Sequence, residues 1–325
     1  MGGKIAVAVV HGIGKKTPGF HLKFKELLEN GFQDALGAKN PDAANDLVIE
    51  PVDYADVLEN DQTELFARMS KSGKMRWRKA RGFVVDFLAD AIAYQATPWN
   101  RDTYDAVHAV YAATLHRLAE QAGPRAPLCV VAHSLGSIIS SNFFYDLQHD
   151  FGNAKRNGNG KHLVPTVALN ELGNTPLERG HTFAHFYTCG STLPLWSLRY
   201  QNPKFGLPVK VPSPQLAELH PNVPGEWVNF YDADDILGYP MKELNANYAK
   251  VVTRDQQVNT GRFPWSMTPA SHTHYFSNPK MAKPIAEALA TTWRNMNRDP
   301  EPGTPSRIPM PATSGQRRGG KKIPT

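Results

Sequence analysis

Short apolar runs alternate with longer stretches of helical periodicity, and this alternation restricts the fold more than any other feature of the chain. Six runs rich in β-branched and aromatic residues have the length of single strands: 4–10, 46–55, 127–132, 181–189, 226–231 and 250–258. Between them the pattern predicts helices at 21–37, within 63–122, at 135–150 and at 280–294. Strands separated by helices pair in parallel, so the sequence predicts an α/β fold with a mostly parallel central sheet flanked by helices.

Composition is that of a globular chain in which one large domain can form. Of the 325 residues, 41% are hydrophobic and 20% are charged. We expect one domain over residues 1–298, with a helical cap inserted at about 60–100, and a Pro-rich, basic, disordered tail at 299–325. Both cysteines, Cys129 and Cys189, lie in apolar segments, which favours buried thiols in a reducing compartment. The expected location is therefore cytoplasmic.

The net charge of +6 comes from two segments. Six Lys and Arg residues lie in the stretch from Lys71 to Arg81, and four more lie within 315–325, with no acidic residue in either segment. Without them, the remaining chain is mildly acidic. The first segment predicts either weak contact with an anionic membrane surface or, as the simpler alternative, a scaffold helix with a solvated basic face. No nucleic acid is expected as a partner, because stacking aromatics are not interleaved with these charges.

The stretch VVAHSLGS at 130–137 ends an apolar strand in a serine between small residues. Ala132 and Gly136 lie two positions before and after Ser134, where only small residues let the strand and the next helix approach closely. Functional loops lie at the carboxyl ends of parallel strands, and the helix from Leu135 directs its positive N-terminus at Ser134. The pattern indicates a nucleophile elbow; a chance match at the end of a core strand is the alternative.

With this elbow and the VVHGIG stretch at 9–14, the sequence resembles the α/β-hydrolase superfamily, and more closely its lipase and esterase branch. Some bacterial members of that branch carry A-H-S-x-G. The resemblance covers roughly residues 4–298 in separate blocks, and the elbow and the HG loop are its specific parts. It implies an α/β-hydrolase fold and no cofactor, and no CxxC or HExxH pattern suggests a metal site.

The resemblance also implies an oxyanion hole formed by the backbone amides of Ile13 and Leu135. In the family, the residue after the nucleophile supplies one donor, and an H-G-x loop supplies the other. Two preorganised donors are what the oxyanion of a tetrahedral intermediate requires. A dinucleotide-binding loop is the competing interpretation, but GxGxxG is absent because Thr17 occupies its last position.

The acid and the base are assigned by their order and position in the family pattern. The family places its acid a few residues past a strand, which favours Asp235 over Asp234 and Asp232 after the run EWVNFY. The segment PASHTHYF resembles the family's H-x-x-Y-W, which favours His272 over His274 as the base. The resulting order of Ser134, Asp235 and His272 is the order of the family's Ser, acid and His. His133 is a usual elbow residue and is given no catalytic role.

These residues lead to three hypotheses about function. The first is a serine hydrolase that cleaves carboxylic esters, of a small molecule or a lipid, through an acyl-enzyme. The second is other acyl chemistry on the same three residues, such as a thioesterase or a peptidase. The third is a non-catalytic protein of the same fold that binds a lipid or another ligand. Candidates for all three catalytic roles are present, which ranks the third hypothesis low.

Overall fold

The computed structural model describes residues 3–12, 18–37, 43–58, 68, 89–95, 101–152, 166–200, 204, 206–261 and 269–297. Most of the predicted cap at 60–100, the whole stretch from Lys71 to Arg81 and the tail at 299–325 lie outside these residues. In the part of the chain that is described, no helix combines the length and apolar character needed to cross a bilayer.

Within the described residues, six strands form one sheet in which every pair is parallel. The strands are β1 Ile5–Val10, β2 Leu47–Val52, β3 Leu128–His133, β4 Phe183–Cys189, β5 Glu226–Tyr231 and β6 Arg254–Gln257. Their order across the sheet is β2-β1-β3-β4-β5-β6. The neighbours of β1 are β2 on one side, with Ile5 opposite Leu47, and β3 on the other, with Val10 opposite Ala132.

Helices cover both faces of the sheet, which confirms the predicted fold class. They are α1 Leu22–Leu36, α2 Asp102–Ala122, α3 Leu135–Gly152, α4 Thr166–Glu171, α5 Leu193–Trp196, α6 Leu216–Leu219, α7 Ala246–Val251 and α8 Pro279–Met296. The alternating side chains of β1 divide the core. Ile5, Val7 and Val9 pack against α1 and α8, whereas the intervening residues of β1 pack in the cluster that contains α2 and α3.

The predicted strand at 250–258 is wrong over its first half. The side chain of Asn245 accepts hydrogen bonds from the amides of Asn247 at 2.8 Å and Tyr248 at 3.1 Å, and so caps α7, which continues to Val251. Tyr248 on this helix is buried. Val251 and Val252 therefore lie at a helix end, and of this segment Arg254–Gln257 pairs with the sheet.

The strand order reverses direction between β1 and β3. From β1 the chain crosses to β2 on one side, and it then returns to form β3 on the other side. Loops that leave neighbouring strands in opposite directions open a crevice at the carboxyl ends of those strands. His11 and Gly12 follow β1 at this crevice, and Ser134 follows β3. The topology therefore brings the predicted elbow and the predicted HG loop side by side.

Candidate active site

Ser134 has the backbone geometry of an elbow. Its φ is +53°, and it is the one non-glycine residue with positive φ among those the structure describes. The Ser134 amide donates a hydrogen bond to the Cys189 carbonyl at 3.0 Å, which ties the turn to β4. A Cβ atom at Gly136 would lie 2.2 Å from the His11 carbonyl oxygen, so only glycine fits where α3 crosses the end of β1.

Hydrogen bonds connect Ser134, His272 and Asp235 in series. His272 Nε2 lies 2.8 Å from Ser134 Oγ, and His272 Nδ1 lies 2.9 Å from each carboxylate oxygen of Asp235. His272 comes from the 3₁₀ turn Pro269–Thr273, and Asp235 lies four residues past β5. All three side chains are buried, with Ser134 at 0% exposure. A serine hydroxyl, an imidazole and a carboxylate in this order can transfer a proton from the hydroxyl and stabilise the imidazolium that forms.

The alternative acids and base lie elsewhere. Asp232 is buried, but its carboxylate accepts the amides of Asp234 at 2.9 Å and Thr260 at 2.5 Å, and so holds the loop together. The Asp234 side chain is exposed. His274 begins the 3₁₀ turn Tyr275–Ser277, where its carbonyl accepts the Ser277 hydroxyl at 3.0 Å. Of the candidates from sequence, Asp235 and His272 are therefore the two that join Ser134.

The carboxylate of Asp235 is held in its ionised form. Burial alone would raise its pKa, but the hydrogen bond from His272, the Leu237 amide at 2.9 Å and the Tyr275 hydroxyl at 2.9 Å outweigh burial and lower the pKa below its usual range. A negative charge therefore faces Nδ1 of His272 at neutral pH. This charge favours the tautomer with hydrogen on Nδ1, which leaves Nε2 free to accept the Ser134 proton.

A second histidine, His133, holds the loop that carries His272. The Nε2–H group of His133 donates to the backbone carbonyl of His272 at 2.7 Å, and the two rings lie 4.7 Å apart. Burial lowers the pKa of His133 to about 3, so its ring is neutral under physiological conditions. A neutral ring adds no charge against an imidazolium on His272. The sequence marked His133 as an ordinary elbow residue, and no local pattern indicates this contact with a residue 139 positions away.

Of the two predicted oxyanion donors, Leu135 lies within the described residues. Leu135 is buried and begins α3, so its amide is the first of a helix N-terminus beside Ser134. Ile13 lies outside the described residues. The neighbouring Gly12 approaches Ser134 so closely that a Cβ there would lie 2.7 Å from the serine Cβ. The Tyr54 hydroxyl donates to the His11 carbonyl at 2.8 Å and also contacts the Gly12 carbonyl. The start of the HG loop is thus packed directly on Ser134.

Two further features bear on what the site can bind. A pocket lies between α3, α5 and α7, with Tyr145, Trp196, Tyr200 and Tyr248 in its walls, but it contains none of Ser134, His272 and Asp235. Within the described ranges, no group of three or more His, Cys, Asp and Glu side chains is arranged to hold a metal ion.

Known proteins resemble this chain only distantly. No protein-family model matches it, and no curated protein matches its sequence. Among solved structures, a dienelactone hydrolase from Anabaena variabilis is similar over 91% of this chain and 88% of its own, with 11% sequence identity and a TM-score of 0.38. A likeness at this level carries no argument about activity.

Proposed function

We propose that the protein is a serine hydrolase of the α/β-hydrolase type that cleaves carboxylic esters through an acyl-enzyme intermediate. Ser134 is the nucleophile, His272 the general base and acid, and Asp235 the carboxylate that orients His272. The observation that carries the proposal is the unbroken series of hydrogen bonds from Ser134 Oγ through His272 to Asp235. The positive φ of Ser134 supports it, because a strained nucleophile on a strand-to-helix turn is typical of this chemistry.

Acylation begins with attack of Ser134 Oγ on the ester carbonyl carbon, while His272 Nε2 removes the hydroxyl proton. The carbonyl oxygen takes the negative charge of the tetrahedral intermediate, and the Leu135 amide donates to it, with the Ile13 amide as the proposed second donor. His272 then returns its proton to the alkoxide, which leaves as an alcohol. Deacylation repeats the two steps with water as the nucleophile and releases the carboxylic acid and Ser134.

The charge states of the groups around His272 favour this reaction cycle. The ionised Asp235 stabilises the imidazolium of His272 in both steps, while the neutral His133 does not oppose it. As part of the proposal, the stretch from Lys71 to Arg81 makes weak contact with anionic membranes. A cytoplasmic location belongs to the proposal too, supported by the free, buried thiols of Cys129 and Cys189.

The proposal predicts a reactive Ser134, which a fluorophosphonate probe tests directly. We expect the probe to form an adduct on Ser134, located by peptide mass spectrometry, and Ser134→Ala to abolish both the adduct and the hydrolysis of p-nitrophenyl esters. His272→Ala should slow labelling by about 10³-fold or more, because the general base is lost. The matched control is His274→Ala, which should change the rate by less than about three-fold.

Each outcome of the labelling experiment has a clear meaning. Equal effects of the two histidine variants would place the base elsewhere. A folded wild-type protein that gives no adduct, with or without anionic lipid vesicles, would contradict the proposal. An adduct that appears only with vesicles would support both the triad and contact with an anionic membrane surface.

Esters, thioesters and amides of one acyl group distinguish the proposal from a thioesterase or a peptidase. All three substrates pass through the same acyl-enzyme on Ser134, so deacylation is common and only acylation differs. We expect kcat/KM to be highest for the oxygen ester. A higher value for the thioester or the amide would keep the triad and replace the substrate class.

A further inference from the structure

Tyr275 lies three residues after His272, and its hydroxyl contacts the acid, Asp235. Its hydroxyl donates to Asp235 Oδ2 at 2.9 Å and accepts the backbone amide of Asp232, also at 2.9 Å. The ring is buried, with 1% exposure. One phenol hydroxyl therefore links the carboxylate to the backbone at the end of β5.

The space around Asp235 Oδ2 leaves no room for another donor on the side of the two glycines that flank it. A Cβ atom at Gly190 would lie 3.0 Å from this oxygen and 2.7 Å from the Tyr275 ring, and a Cβ at Gly238 would lie 2.5 Å from the oxygen. Gly190 has φ of +52°, a conformation that other residues rarely adopt. The backbone at these two glycines therefore closes one side of Asp235 Oδ2.

We propose that Tyr275 is a positioning residue of the catalytic machinery, acting on His272 through Asp235; this inference rests on the proposed function. The hydroxyl fixes the carboxylate in the plane in which both oxygens lie 2.9 Å from His272 Nδ1. The hydroxyl also stabilises the negative charge of the carboxylate, because a donated hydrogen bond favours the ionised form. Without the hydroxyl, His272 is the one donor to Oδ2 among the described residues, and the carboxylate is held by His272 and by the Leu237 amide on Oδ1.

Tyr275→Phe should have two linked effects. The more basic carboxylate attracts the Nδ1 proton more strongly, so the pKa of His272 and the acidic limb of kcat/KM move to higher pH. The less firmly held carboxylate lowers kcat, by about ten-fold, with KM changed less than about two-fold. Of the described residues, His133 and Cys189 are titratable groups that interact with the Asp235–His272 pair, and both stay in place in the variant. The carboxylate of Asp232, nearby in sequence, accepts the amides of Asp234 and Thr260 and also stays in place.

The experiment compares Tyr275→Phe with Tyr187→Phe. Tyr187 is also a buried tyrosine whose hydroxyl donates to a carboxylate, that of Glu226 at 2.8 Å, but it lies on β4 away from Ser134. Both variants lose the same atom from a buried site, so a general effect on folding is common to both. The readouts are the His272 titration, followed by NMR on ¹³Cε1-labelled histidine, and the pH profile of kcat/KM.

A rise in the pKa of His272 in Tyr275→Phe but not in Tyr187→Phe supports the inference. An unchanged or lower pKa overturns it, and so do equal effects of the two variants. The titration does not depend on turnover, so a raised pKa in a protein without any hydrolytic activity would contradict the proposed function and leave the role of Tyr275 intact. In an Asp235→Asn background, Tyr275→Phe should have almost no further effect on kcat; a full ten-fold loss there would show that Tyr275 does not act through Asp235.

Discussion

At the scale of single residues, Ser134 follows a strand end in an unfavourable backbone conformation. An L-residue at φ of +53° costs about 1–2 kcal/mol relative to the right-handed region, whereas glycine adopts it readily. The neighbours that hold this conformation are the Cys189 carbonyl, which accepts the Ser134 amide, and Ser137, whose hydroxyl donates to the Ser134 carbonyl at 2.5 Å. Ser134 is thus held in a conformation that lowers the stability of the folded protein.

This strain predicts that Ser134→Gly is more stable than Ser134→Ala, by about 0.5–1 kcal/mol, although both lack the nucleophile. The measurement is urea unfolding of the two variants. The matched control is Ser141, inside α3, where alanine should instead be more stable than glycine by about 1 kcal/mol. If alanine were the more stable residue at both positions, the turn at Ser134 would carry no strain.

The roles of single residues were the hardest feature to predict from the sequence. Asp232, Asp234 and Asp235 follow the same strand, and nothing local separates a carboxylate that caps a loop from one that reaches an imidazole. The choice depends on which side chain the turn directs toward His272, which lies 37 positions further along the chain. The elbow at Ser134 was predictable because its steric demands fall on immediate neighbours, Ala132 and Gly136.

At the scale of elements, a titratable pair joins α2 to the turn before β4. His116 Nδ1 on α2 lies 2.7 Å from Glu178 Oε1, whose carboxylate also accepts the amides of Gly173 and Thr175. The hydrogen bond to Glu178 raises the pKa of His116 above 6.5. These bonds, together with the Thr175 hydroxyl, outweigh the effect of burial on Glu178 and lower its pKa. Half of the His116 side chain is exposed, so solvent screens the pair.

The pair predicts a pH-dependent contribution of less than about 1 kcal/mol to the free energy of unfolding. A raised pKa in the folded state means that the contribution of His116 is complete below its ordinary pKa and is lost as pH rises through the folded value. The lowered pKa of Glu178 means that its contribution is lost in acid, below about 4.5. Destabilisation by His116→Ala should therefore be larger near pH 5.5 than near pH 8.5 in chemical unfolding.

His220 supplies a control with the opposite sign. Burial lowers its pKa, so its contribution is complete above its ordinary pKa and is lost as pH falls. His220→Ala should destabilise the protein more near pH 8.5 than near pH 5.5. Parallel pH profiles for the two variants would rule out the bond between His116 and Glu178 as the source of the dependence.

Most of the elements were predictable because their signals are local. Five of the six strands begin and end close to the predicted residues, since buried parallel strands are continuous apolar runs. The strand predicted at 250–258 was wrong over its first half because Asn245, which lies before this segment, caps a helix that continues into it. The order of the strands, which places β1 between β2 and β3, comes from pairing across the whole sheet and no single run encodes it.

At the scale of the whole molecule, side chains at the C-terminal end of α8 bind residues that are far away in the sequence. Thr292 Oγ1 lies 2.8 Å from the buried His185 ring on β4, and the Trp293 indole donates to Asp46 at 2.9 Å. The Asn297 side chain accepts the Gly3 amide at 2.5 Å and donates to the Gly3 carbonyl at 3.2 Å. These contacts join α8 and the residue after it to β4, to the turn before β2 and to the residues before β1.

The contacts of α8 predict where the chain can be shortened. A chain that ends at residue 298 keeps every one of them, so we expect its melting temperature and its labelling at Ser134 to match those of the full chain. A chain that ends at residue 290 loses the bonds of Thr292, Trp293 and Asn297, and its melting temperature should fall by roughly 5 to 10 °C. Differential scanning calorimetry of the three lengths measures both effects. A large loss at 298 would mean that the basic, Pro-rich segment contributes to the fold, contrary to what its composition predicts.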